Sequence, residues 1–183
     1  MSEPAAKAVQ DFYPDDFAHC YGCGRLNAHG LQLKTRWEGD ETVARFTPRP
    51  FDIAVPGFVY GGLVASLIDC HAMGTAAAAA DRAAGREVGD GPASRFVTAA
   101  LRVDFLEPTP LGPVLEVRGR LKERTERKTV VEAWVSAEGR VTARAEVVAV
   151  PMPAGMALSE SAGTVMPGAS QGSERKTPPP PRS

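Results

Sequence analysis

Two periodicities divide this chain. Leu31, Leu33, Thr35 and Trp37 alternate with Gln32, Lys34 and Arg36, which predicts a strand with one buried face. Glu38-Gly39-Asp40 is turn chemistry, and Thr42 to Thr47 is expected to return antiparallel. Pro48, Pro50 and Pro56 predict a loop, because proline cannot serve an interior strand. Alternation then stops. Residues 61–84 are predicted to form the one long helix, apolar on nearly every side and closed by the alanine run Ala76 to Ala80. Gly85 to Ala93 is a polar, glycine-rich connection.

Alternation resumes in four further stretches. Leu101, Val103 and Phe105 flank Arg102 and Asp104, and Leu115, Val117, Gly119 and Leu121 flank charged residues. Thr129 to Ser136 and Val141 to Val150 pair across the turn Glu138-Gly139-Arg140. Strands at hairpin spacing imply an antiparallel sheet. A helix with no polar face needs cover all round, so the sheet is expected to wrap around it in an α+β arrangement.

Composition narrows the function classes. The 183 residues fit one domain with tails: an N-terminal extension over 1–18, a domain over 19–152, and a Pro/Gly/Ser-rich tail over 153–183 expected to be disordered. The net charge of −1 is spread along the chain, and no basic stripe argues for a nucleic-acid partner. The long apolar run carries Asp69 and His71, which argues against a membrane span. Met1 to Asp16 does not read as a secretory signal. Three cysteines are no secreted disulfide framework, so a cytoplasmic location is expected.

The candidate chemistry lies where the loop enters the helix, at Pro56-Gly57-Phe58-Val59-Tyr60-Gly61-Gly62. A glycine-started helix offers free backbone N–H groups and a partial positive charge at its first turn. Asp69 is a lone carboxylate two turns on, where an unpaired charge is costly to bury. At 1.5 Å per residue, Gly61 and Asp69 stand roughly 12 Å apart along the axis. No single carbonyl group touches both. Two such helices lying antiparallel across a dimer axis would bring one amide to the partner's carboxylate, twice over. The Gly61 amide would then stabilise an oxyanion, and Asp69 would attack the carbonyl or activate a water. The plainer readings are a salt-bridged or hydrogen-bonded structural Asp69 and glycines that only allow close packing. Ser66 and Met73 share the Asp69 side of the helix and either line an acyl pocket or pack against neighbours.

These residues resemble the signature of hotdog-fold acyl-CoA thioesterases of the PaaI-like group, in which His-Gly-Gly is followed by Asp seven residues after the second glycine. Leu67-Ile68-Asp69 meets that spacing. Thr98 to Pro108, closing on Pro110-Leu111-Gly112, is similar to the family's strand after the helix, and Cys20-Tyr21-Gly22-Cys23-Gly24 with Asn27, Gly30 and Leu31 is similar to the start of one branch. The resemblance covers roughly residues 18 to 150. It implies a five- or six-stranded antiparallel sheet around a long central helix, paired as a homodimer and often stacked as a homotetramer. It implies catalytic roles for Gly61, Asp69 and Thr98, and substrate contacts at Tyr60 and Gly62. Coenzyme A belongs to the substrate, and no cofactor is expected.

Three departures from the family pattern stand out. Tyr60 replaces the usual His, Ala54 stands where many members carry Asn, with Asp52 the nearest polar residue, and residues 81–94 are longer than the usual connection. That connection, with Asp81, Arg82, Arg86 and Glu87, is expected at the surface rather than over the pocket. Arg127 and Lys128, in the run Lys122 to Lys128, are candidates for the coenzyme A phosphates or a solvated hairpin tip. Cys20 and Cys23 with His19 and His29 make a poor zinc set, so no metal is expected. His71 lies about 200° around the helix from Asp69 and is expected to pack rather than orient it. The alternative function is an acyl-CoA-binding module without turnover. A hydratase or dehydratase would want the histidine that Tyr60 replaces.

Overall fold

The computed structural model describes residues 7–156. Six strands form one antiparallel sheet in the order β1-β2-β6-β7-β8-β5, with β1 and β5 at its edges. The strands are β1 (Arg36–Glu38), β2 (Glu41–Phe46), β5 (Phe96–Phe105), β6 (Leu115–Arg124), β7 (Thr129–Ala137) and β8 (Arg140–Pro151). A separate small hairpin, β3 (Ile53–Val55) and β4 (Phe58–Val59), turns at Pro56-Gly57, where Gly57 has φ 88°. The helix α1 (Gly61–Ala83) lies against one face of the sheet, on β5 to β8.

The alternating residues do what their period demands. Leu115, Val117, Val131, Val135, Ala143 and Val147 are fully buried and face Leu67, Ile68 and Ala76 on α1. The opposite sheet face carries ion pairs, including Arg118 with Glu116, Arg120 with Glu132, and Lys122 with Glu146. Such exposed pairs contribute little stability, but they keep that face wet. By length and composition α1 could span a bilayer, yet 78% of its most apolar window is buried inside the protein, as in a core helix.

The first predicted strand is corrected. Residues 31–35 keep their alternation of buried and exposed positions but lie outside the sheet, and only Arg36–Glu38 pairs. Gln32 has φ 51°, a left-handed conformation that breaks an extended run. The backbone turns instead to the preceding loop, with Leu31 N–H donating to the Tyr21 carbonyl at 2.7 Å and Leu33 N–H to that of Gly22 at 3.0 Å. The proline-rich loop also holds β3 and β4, which no periodicity announced.

The N-terminal segment packs into the body. Val9 and Gln10, in a 3₁₀ turn over Val9–Phe12, are buried, and Val9 N–H donates to the Thr35 carbonyl at 3.0 Å. The connection after α1 is tied down at the far end of the helix. Asp81 is buried, pairs with Arg86 and accepts from Ser94 Oγ at 2.6 Å, while Arg82 stacks 3.4 Å from the Trp37 ring centre. This connection therefore lies at the surface, more than 20 helical residues from Gly61. The tail expected from 153 onward lies almost wholly outside the described residues.

Candidate active site

The start of α1 is held from two sides. Tyr60 N–H donates to the Asp52 carbonyl at 2.9 Å, and Val59 N–H to the Thr109 carbonyl at 2.9 Å. Asp52 is fixed in turn by Arg49, whose Nε and Nη2 reach its carboxylate at 3.1 and 3.0 Å and whose amide does so at 2.8 Å. Burial pushes the Asp52 carboxyl up, but these bonds from Arg49 outweigh it and leave the group below the usual carboxylate range. Asp52 is thus engaged in shaping the loop.

Tyr60 caps the helix in extended geometry (φ −61°, ψ 126°) with no side-chain capping bond. The first helical amides returned to the chain are those of Leu63 and Val64, both to the Tyr60 carbonyl. The Gly61 and Gly62 N–H groups precede them and have no backbone acceptor among the described residues. At 62 a Cβ would stand 2.3 Å from the exposed Tyr60 ring, which would have to swing aside. At Gly61 a Cβ would make ordinary contact, 3.5 Å from Cζ of Phe105.

Asp69 is half-buried and faces β5, where Thr98 Oγ1 donates to its Oδ1 at 2.5 Å. No cation pairs with it among the described residues, so of the two plainer readings the salt bridge falls and the hydrogen bond stands. Thr98 is exposed. The structure thus brings Asp69 and Thr98 together, and it sets Gly61 apart from both. Gly61 stands at the Phe105 end of β5 and Asp69 at the Thr98 end.

Two clefts flank the helix start. One, of about 350 Å³, is bordered by Gly61, Val64, Phe105, Leu106 and Thr109. The other, of about 440 Å³, is bordered by Tyr21, Arg49, Phe51, Tyr60, Gly62 and Ser66. Tyr60, Gly62 and Ser66, which the sequence singles out, border this cleft beside Tyr21, Arg49 and Phe51, which it does not. The Arg49/Asp52 spacing inside a proline-flanked turn was the available signal for the second set. The Ser66 hydroxyl donates to the Gly62 carbonyl at 2.8 Å. Met73 packs partly buried against the core. Arg127 and Lys128 sit on the exposed β6–β7 turn, where Thr125 Oγ1 accepts from the Lys128 amide at 3.1 Å and Lys128 Nζ pairs with Glu123 at 3.2 Å. The register Thr98–Ala149–Thr129 puts this turn at the same end of the sheet as Thr98 and Asp69.

His71 is fully buried. Its Nδ1 lies 3.0 Å from Thr35 Oγ1 and its Nε2 3.1 Å from Thr42 Oγ1, and Thr42 Oγ1 is 2.6 Å from Thr75 Oγ1. Gln10 closes the network on Thr35. Burial lowers the His71 pKa to about 4, so the ring is neutral and structural at ordinary pH.

Residues 56–144 match the model of the thioesterase superfamily. A thioesterase superfamily protein from Shewanella loihica is 50% identical over 76% of this chain and 98% of its own, with a TM-score of 0.59. The E. coli PaaI protein from the phenylacetic acid degradation operon shares the fold at 15% identity, over 67% of this chain and 81% of its own, with a TM-score of 0.54. A Streptococcus mutans protein bound to acetyl CoA does so at 17% identity, over 66% and 88%, with a TM-score of 0.51. No curated protein matches the chain. The chain belongs to the thioesterase superfamily, on a hotdog fold.

Proposed function

We propose that this protein hydrolyses acyl-CoA thioesters to a free acid and coenzyme A, in the cytoplasm, as a homodimer able to stack as a homotetramer. One observation carries the reading. Asp69 and Gly61 lie at opposite ends of β5, an edge strand with an exposed outer side. If β5 pairs antiparallel with its copy about a two-fold axis at Arg102, the bulge between Thr98 and Ala100 sets Thr98 of one protomer opposite Phe105 of the other. The carboxylate held by Thr98 then meets the glycine amide that stands at Phe105. Leu101 and Phe105 are 39% and 55% exposed in the single chain, apolar surface that such pairing would cover.

In that composite site the Gly61 N–H would stabilise the negative charge developing on the thioester oxygen. Asp69 would take a proton from water as it adds to the carbonyl carbon, or add to that carbon itself and form an anhydride that water then cleaves. Either way the carbon–sulfur bond breaks and the coenzyme A sulfur leaves as thiolate. Thr98 would fix the carboxylate's orientation. Tyr60, Gly62, Ser66 and Met73 would border the acyl group, and Arg127 and Lys128 would meet phosphate. Two structural relatives, from Streptococcus mutans and Streptococcus pneumoniae, carry acetyl CoA or coenzyme A, which supports this substrate class.

The test is thiol release from a panel of short, medium, long and aryl acyl-CoAs. Turnover of at least one, lost on Asp69→Ala with folding intact, is expected; undiminished hydrolysis by that variant would refute the role of Asp69. The second reading, a binding module without turnover, draws on Tyr60 in place of histidine. It predicts tight binding with no thiol released.

A further inference from the structure

By spacing alone, Cys20 and Cys23 with His19 and His29 make a poor zinc set. The fold supplies a different third donor. Cys70, in the middle of α1, reaches the Cys20/Cys23 turn, and the three Sγ atoms all lie within 4.8 Å of one another. We infer that Cys20, Cys23 and Cys70 form a three-thiolate site for a zinc ion, which clamps the N-terminal loop onto the central helix beside Asp69.

Three observations carry this. The first is spacing. Ligands about 2.3 Å from a tetrahedral zinc stand roughly 3.8 Å from one another. Cys20 Sγ and Cys70 Sγ are 3.7 Å apart, far beyond the roughly 2.0 Å of a disulfide. The second is a turn built for close approach. A Cβ on Gly22 would stand 2.1 Å from Cys70 Sγ, so only glycine lets the turn meet the helix. Gly24 closes the same turn by donating its N–H to the Cys20 carbonyl at 2.8 Å, and its own Cβ would stand 2.5 Å from Cys20 N.

The third is charge. The Arg95 guanidinium, 3.9 Å from the Tyr13 ring centre, puts a positive charge near Cys23. Three thiolates and Zn²⁺ sum to −1, which that arginine would offset. Cys20 is exposed while Cys23 and Cys70 are buried, so the fourth vertex opens to solvent.

A cluster drawn from two distant segments is what a structural clamp needs. It would fix Tyr21, the residue after Cys20, as a wall of the cleft that Tyr60 also lines. The inference does not depend on the proposed hydrolysis, because its readout is metal.

The full chain, purified under reducing conditions without chelator, should carry about one zinc per chain by elemental analysis. After chelation it should take up Co²⁺ with the strong near-ultraviolet absorption of cobalt–thiolate bonds. Cys20→Ser and Cys70→Ser should each weaken Co²⁺ binding at least about tenfold, at unchanged circular dichroism. Cys20 is exposed, so its variant keeps the test open if Cys70→Ser does not fold. Three results would overturn the site: no zinc or cobalt uptake by the reduced wild-type chain, a Cys70→Ser variant that binds cobalt like wild type, or a Cys20–Cys23 disulfide as the stable state under cytosol-like reducing buffer.

Discussion

Thr98 donates to Asp69 from the exposed side of an edge strand, across a sequence separation of 29 residues. The bond leaves Asp69 oriented but not charge-paired, which is the state a general base or nucleophile requires. Asp52 and Asp81, by contrast, face the Arg49 and Arg86 guanidinium groups.

Asp69→Asn keeps the shape of the side chain and removes its basicity. Acyl-CoA turnover is expected to fall by about 10²- to 10⁴-fold. Thr98→Ala removes one hydrogen bond to a charged group and should cost on the order of tenfold, mostly in kcat. Thiol-release kinetics with thermal melts of both variants check this. A Thr98→Ala loss as deep as that of Asp69→Asn would mean that Thr98 does more than position.

The composite site makes a prediction that a site within one protomer cannot. Gly61→Pro deletes the candidate oxyanion donor at the first helical position, where proline is well tolerated. Tyr60, at φ −61° and ψ 126°, already has the backbone that precedes a proline. Asp69→Asn and Gly61→Pro should each be inactive alone. Co-refolded in equal amounts, half of the dimers are mixed and each has one intact site, so about a quarter of wild-type activity should return. No recovery, from subunits shown to exchange, would place both groups of each site in one chain.

Much of this arrangement was legible in the sequence, for physical reasons. The hairpins follow from period-two burial, and α1 from an apolar run too long for a strand. Gly61 and Asp69 were legible because helix geometry fixes their separation, and the resemblance added Thr98. What escaped depended on contacts between distant segments. The meeting of Cys70 with Cys20 has no local signature. The Leu31–Thr35 stretch alternates like a strand, and only the left-handed backbone at Gln32 turns it away from the sheet. His71 packs as expected, but the partners of its ring, Thr35 and Thr42, come from a loop and a strand that no pattern in the chain links to the helix.

The buried histidine predicts acid sensitivity with a definite sign. The folded-state pKa of His71 is pushed down to about 4 by burial, from an ordinary value of 6.5. Between those values the unfolded chain holds a proton that the folded chain excludes, so stability falls as pH drops from about 6.5 toward 4. Below about 4 both states are protonated and this contribution levels off. At 1.36 kcal/mol per unit the full loss approaches roughly 3 kcal/mol. Urea midpoints from pH 8 to pH 4.5 measure it, and His71→Gln should flatten the profile. The same slope in that variant would assign the effect to other groups.

The space for this network is made by a glycine in the middle of β6. A Cβ on Gly119 would stand 2.8 Å from Thr75 Oγ1 and 3.2 Å from the His71 ring, both fully buried with nowhere to retreat. Gly119→Ala must therefore push α1 away from β6 or break the Thr42–Thr75 contact. A loss of about 1–3 kcal/mol is expected, or several degrees in Tm. Gly91→Ala is the matched control. Its added Cβ meets nothing within 4 Å, so its stability should stay within about 0.5 kcal/mol of wild type. Calorimetry on the pair separates a packing requirement from general intolerance of alanine for glycine. Equal melting temperatures for the two variants would show that the helix yields at Gly119 without cost.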